Sequence, residues 1–130
     1  MREILFRGKQ IADGKWAYGL PCNNIYGQLG IQPITKEHCS VIHKETIGQF
    51  TGLTDKNGKP IFEGDVLRRD DVTGSVLYSD ESCRFLFRWK RFDRYRPDCF
   101  KNCGLTDYAM FRDMEIIGNI HDNPELLEGE

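Results

Sequence analysis

Ile61-Phe-Glu-Gly-Asp-Val-Leu-Arg-Arg-Asp-Asp-Val-Thr-Gly-Ser-Val-Leu-Tyr-Ser-Asp-Glu-Ser-Cys-Arg-Phe-Leu-Phe-Arg-Trp-Lys90 is the stretch on which the fold turns. Its apolar runs, Ile61-Phe62, Val66-Leu67, Ser75 to Tyr78 and Cys83 to Lys90, are interrupted by Glu63-Gly64-Asp65, by Asp70 to Gly74 and by Ser79 to Ser82. Gly and Asp mark turns because Gly takes positive φ without penalty and Asp hydrogen-bonds its own backbone. Short strands with a turn about every ten residues make an antiparallel meander, the habit of small barrels and sandwiches. In the last run Phe85, Phe87 and Trp89 fall on one side of the pleat, and Arg84, Leu86, Arg88 and Lys90 on the other. The ring side is expected in the core and the cationic side in water. Alternation fails at Lys90-Arg91, where Phe92 falls in the other phase, so a bulge or strand end is expected there, and Arg94 to Asp98 should be a loop.

The pattern extends in both directions. Glu3 to Gly8 and Lys15 to Leu20 read as two strands paired through the Asp13-Gly14 turn. Cys22 to Ser40 has no dominant period and suggests a long connection with a strand near Gln28 to Gln32. Val41-Ile42 and Thr46 to Phe50 are short strand candidates. Asn57-Gly58 should form a tight turn with both residues at positive φ. Met114 to Ile120 reads as a closing strand. Asn123-Pro124-Glu125 then starts a helix of a turn or two, with Asn123 capping it and Pro124 at its first position.

The chain has 130 residues, 39% hydrophobic and 29% charged, which suits one compact domain spanning 1–130. Its longest apolar run is Tyr108 to Phe111, too short for a membrane span or a signal-peptide core, so a cytoplasmic location is expected. Five cysteines, at 22, 39, 83, 99 and 103, are odd in number and irregular in spacing, which favours reduced thiols over a disulfide framework. Cys99 and Cys103 together with His38, Cys39 and His43 are the only grouping with soft-ligand character. They lack the tight paired spacing of zinc knuckles, so no metal or other cofactor is assigned.

The net charge of −2 hides segregation along the chain. Residues 84 to 101 carry seven basic and two acidic groups, whereas 105 to 130 carry one and seven. The basic segment interleaves its cations with Phe85, Phe87, Trp89, Phe92, Tyr95 and Phe100, the mixture that grips single-stranded nucleic acid through phosphates and base stacking. If Phe85, Phe87 and Trp89 turn inward, only Phe92, Tyr95 and Phe100 remain for stacking. The competing reading is a solvated strand face, balanced by Asp80, Glu81 and the acidic C-terminal segment, whose cations discourage edge-to-edge association. Arg84, Arg88, Lys90, Arg91, Phe92, Arg94, Tyr95 and Arg96 are the candidate contact residues.

Catalytic signals are weak. The carboxylates Asp55, Asp65, Asp70 and Asp71 sit where turns want aspartate. Ser40 and Ser75 lack a nucleophile elbow, and no phosphate-cradling Gly-rich loop precedes a helix. Cys39 with His38 or His43 is the least poor nucleophile pair. No catalytic residue is assigned, and the chain is read as a non-enzyme.

Thr46-Ile-Gly-Gln-Phe-Thr-Gly-Leu-Thr-Asp-Lys-Asn-Gly-Lys-Pro-Ile-Phe-Glu-Gly-Asp-Val-Leu67 closely resembles the signature of the YopX family of phage and prophage proteins. Arg2 to Arg7, Trp16-Ala-Tyr-Gly19 and Ile116-Ile-Gly-Asn-Ile-His-Asp-Asn-Pro-Glu-Leu-Leu127 resemble further family blocks in the family order. The resemblance implies a mostly β protein of phages, prophages or mobile elements, with no established activity and no catalytic residues to carry over. The chain departs from the family pattern chiefly over 79 to 110.

The expected fold is therefore an all-β, small, partly open antiparallel barrel, with a central meander over 61–90 resembling an SH3-like barrel and a short C-terminal helical turn. The expected function is a phage or prophage accessory protein that binds a macromolecule through 84–101. Its partner is left open between nucleic acid, possibly single-stranded, and a host or phage protein; no membrane is involved, and self-association is left open.

Overall fold

The computed structural model describes residues 3–33, 38–70, 72–81, 83–91, 99–104 and 113–127, with the backbone alone at 90, 91 and 99–104. The contacts group into two compact units, Met1–Gly52 and Leu53–Glu130.

In the first unit β1 (Phe6–Lys9) and β2 (Trp16–Asn23) pair antiparallel, Arg7 opposite Tyr18, across a turn closed by Gln10 N–H to the Lys15 carbonyl at 2.9 Å. Asp13 contributes as its type dictates, its Oδ1 accepting the Lys15 N–H at 2.9 Å. β3 (Leu29–Pro33) follows as the expected strand of the irregular stretch, then β4 (Ser40–Val41), a 3-10 turn (Lys44–Thr46) and β5 (Gly48–Thr54). The strand order is β4-β3-β2-β1-β5. Ala17, Ile31 and Ile42 form its buried cluster, with Phe6, Leu29 and Ile47 packed against them.

In this unit Cys22 and Cys39 form a disulfide, Cα atoms 6.6 Å apart. This corrects the expectation of reduced thiols: the antiparallel return of β3 beside β2, followed by β4, brings together two cysteines that sequence spacing keeps 17 residues apart. It also removes Cys39 both as a thiol nucleophile and as a zinc ligand. Of the described cysteines, Cys83 is free and exposed.

The second unit begins at the end of β5, which turns through Asp55–Lys59 into β6 (Pro60–Phe62), its sheet neighbour. Gly58 takes φ +81° but Asn57 does not share the positive φ, contrary to expectation, because Asp55 organises the turn. Its Oδ1 accepts the N–H groups of Asn57 and Lys59, each at 2.9 Å. β7 (Asp65–Arg69), β8 (Val72–Ser79), β9 (Arg84–Arg91), β10 (Cys99–Gly104) and β11 (Glu115–Asn119) form an open antiparallel sheet of order β10-β9-β8-β7-β11. Ile61, Leu67, Val76, Phe87 and Met114 are its buried cluster, supported by Leu53, Val72, Phe85, Trp89 and Ile116. The all-β antiparallel class read from the sequence is the observed one.

Two further local expectations fail in this unit. Gly74 is not a turn residue: the chain reverses at Asp70, which takes φ +51°, and β8 resumes at Val72. Gly74 lies within β8 because a Cβ there would run into the Arg88 carbonyl oxygen and the Phe87 ring. β9 keeps unbroken register with β10 up to Arg91, opposite Cys99, and its bound falls there, so of the bulge or strand end expected at Lys90-Arg91 the strand end is the one observed. The irregularity falls in β11 instead, between Ile116 and Gly118. At the C-terminus Pro124–Leu126 forms a 3-10 turn, but the Asn123 side chain does not cap it; its Oδ1 accepts the Asn119 N–H at 3.4 Å.

Candidate functional site

Pleat parity and register assign the faces of the five-stranded sheet. Val76 pairs with Phe87, Gly74 with Trp89 and Leu67 with Gly74, so Phe85, Phe87 and Trp89 share the face that carries the buried cluster. Phe87 is fully buried, whereas Phe85 and Trp89 are half-buried, Phe85 meeting Tyr78 edge-on at 5.4 Å between ring centroids. The ring side of β9 therefore faces the core, as its alternation predicts.

On the opposite face Arg84 stands across from Ser79, Leu86 from Leu77, Arg88 from Ser75, and Thr73 from Arg68. Arg68, Arg84 and Arg88 are exposed. Strand geometry separates Arg84 and Arg88 by about 13 Å along β9, with β7 and β9 about 9.5 Å apart across β8. The intervening strand offers small hydroxyl side chains, Thr73 beside Arg68, Ser75 beside Arg88 and Ser79 beside Arg84. The sequence reading set this side, Leu86 included, in water, but Leu86 is 7% exposed and Val66 fully buried. An apolar strip thus separates Arg84 from Arg88.

The other candidate residues divide cleanly. Lys90 and Arg91 lie in β9 opposite Phe100 and Cys99 of β10. Phe92, Arg94, Tyr95 and Arg96 lie outside the described residues. Arg68 was missed by the sequence reading; its only signal is the Arg68-Arg69 doublet ending a strand, and the register decides which of the two joins the face. Arg69 takes the other side, 3.9 Å from Asp113. In the acidic C-terminal segment, which was expected as a possible counterweight to 84–101, Asp113 makes this pair and Glu115 lies 3.6 Å from Lys56.

Chemically, three guanidinium groups present forked donors suited to phosphate or carboxylate oxygens, while the hydroxyls both donate and accept. Among the described residues no three His, Cys, Asp or Glu gather into a metal-binding group, and His43 lies 3.9 Å from Glu45 on the surface. No helix of the described residues is long and apolar enough to cross a membrane.

The family model for YopX protein matches residues 6–128, nearly the whole chain. The chain belongs to the YopX family. No curated protein matches this YopX chain. It is similar in fold to the crystal structure of protein EF1440 from Enterococcus faecalis, with a TM-score of 0.55 and 23% identity over 98% of this chain and 99% of that one. At that identity the likeness concerns the fold.

Proposed function

We propose that this YopX protein is a non-enzymatic accessory protein of a phage or prophage, acting in the bacterial cytoplasm by binding a polyanion, single-stranded nucleic acid, on the outer face of β7, β8 and β9. The observation that carries the reading is that exposed Arg68, Arg84 and Arg88 share one sheet face with the hydroxyl-bearing β8 between them. Cations spaced over an open sheet follow a flexible phosphate backbone without demanding a sequence. Further basic groups from 90–101 lie in the neighbouring stretch of chain.

Titration of a labelled single-stranded oligonucleotide at several salt concentrations tests it. Four phosphate contacts give a slope of log affinity against log salt of about −0.7 × 4, or about −3; removing Arg84 and Arg88 as alanines should flatten it to about −1.5. No binding at low salt, or an unchanged slope in the double variant, overturns the reading.

A further inference from the structure

Residues 16–35 contain no Asp, Glu, Lys, Arg or His. At the chain's overall 29% charged content, twenty residues would carry about six charges, so this run is unusual in its own sequence. Its residues 16–33 form the β2–β3 hairpin, which buries Ala17 and Ile31 but leaves Tyr18 and Leu20 47% and 49% exposed and, at the turn, Ile25 and Tyr26 91% and 80% exposed. Tyr18 and Leu20 share one face of β2 by pleat parity.

The hairpin is preorganised. Asn24 Oδ1 accepts the N–H groups of Tyr26 and Gln28, each at 2.9 Å, and its Nδ2 donates to Gln28 Oε1 at 2.8 Å. One residue pair before the turn, β2 is tied to Cys39 by the Cys22–Cys39 disulfide. A rigid element that displays aromatic and aliphatic side chains loses little freedom on docking, and depletion of charge with enrichment of Tyr is the composition of interface centres.

We propose that the β2–β3 hairpin is a docking surface for a second copy of this chain. Charge selects the occupant. A nucleic acid or an anionic bilayer would be met by cations, and the run has none. In a two-fold contact a patch meets itself, so a charged patch repels its own copy, while a neutral apolar one does not. The four exposed side chains offer on the order of 500 Å² per copy, hence about 1,000 Å² in a pair, the lower bound for a specific interface. The dimer is accordingly weak and dependent on concentration. This contact uses none of the arginine-face residues.

Sedimentation equilibrium of the full chain from about 5 µM to about 500 µM tests the proposal. The weight-average mass should rise from 15.1 kDa toward twice that value. Ile25→Asp with Tyr26→Asp should hold the chain at the monomer mass throughout, while its oligonucleotide slope stays at the wild-type value. Leu20→Ser, which leaves the turn untouched, should weaken association at least fivefold and guards against a misfolded turn variant. A wild-type chain monomeric at the top of the range, or variants that associate like wild type, overturns the proposal without touching the nucleic-acid reading.

Discussion

Removing the carboxylate of Asp55 should loosen the second unit at a single, identifiable bond. Asp55 is 5% exposed, and beyond its two bonds within the turn its Oδ2 accepts the Ile116 N–H at 3.1 Å, from 61 residues further along. Lys56 N–H donates to the Met114 carbonyl at 2.9 Å, so the 55–59 turn and β11 are stitched together twice. Burial pushes the Asp55 carboxyl up, but hydrogen bonds from the N–H groups of Ile116, Lys59 and Asn57, with the Lys59 charge, outweigh it and hold the pKa below its ordinary value of 3.8. Asp55→Asn keeps an oxygen for the turn and sets an amide donor against the Ile116 N–H. A hydrogen bond to a charged group contributes about 1.5–3 kcal/mol, so the substitution should cost about 2–3 kcal/mol at pH 7. For a chain of this length that lowers Tm by about 10 °C. Because the folded pKa is depressed, the stabilisation is complete above the unfolded value, about pH 4, and is lost as pH falls through the folded one. The gap between wild type and Asp55→Asn should therefore narrow steadily below about pH 4. Thermal melts followed by circular dichroism at neutral and acid pH check both statements. A variant within about 0.5 kcal/mol of wild type at pH 7, or a gap that does not change with acid, refutes the reasoning.

Two further outcomes concern stability. Gly74→Ala places a methyl group against the Arg88 carbonyl and 2.7 Å from the Phe87 ring, and should lower stability by about 1–3 kcal/mol; an unchanged urea midpoint would contradict the packing described for β8. Reduction of Cys22–Cys39 releases a loop of separation 17, which by chain entropy should cost about 3 kcal/mol, read as a lower Tm in reductant; Cys83→Ser should leave Tm unmoved, since that thiol is exposed.

Much of the strand pattern was legible because it rests on local chemistry. The Asp13-Gly14 hairpin, the Glu63-Gly64 turn and the alternation of Phe85, Phe87 and Trp89 depend on residues next to one another in sequence. What was not legible depends on partners distant in sequence. Gly74 looks like a turn glycine until the Phe87 ring is seen lying over it. Cys99 to Gly104 is poor in β-branched residues and becomes a strand through its pairing with β9. The Cys22–Cys39 bond has no signature in spacing, since an odd count with irregular gaps is silent about which pair a sheet will bring together. For the candidate face, Arg84 and Arg88 were readable from the period-two pattern, whereas Arg68 joins them through register across β8, and Leu86 interrupts them because that side of the sheet also buries apolar groups. Chain length bounds the amount of core and has no term for topology, which here gathers the contacts into 1–52 and 53–130.

The most direct test of the arginine face is residue-by-residue amide chemical-shift mapping while a single-stranded oligonucleotide is added at low salt. The largest shifts should fall on Arg68, Thr73, Ser75, Ser79, Arg84 and Arg88, with Ile25 and Tyr26 unmoved. Shifts confined to the β2–β3 hairpin, or none anywhere in the chain, would contradict it.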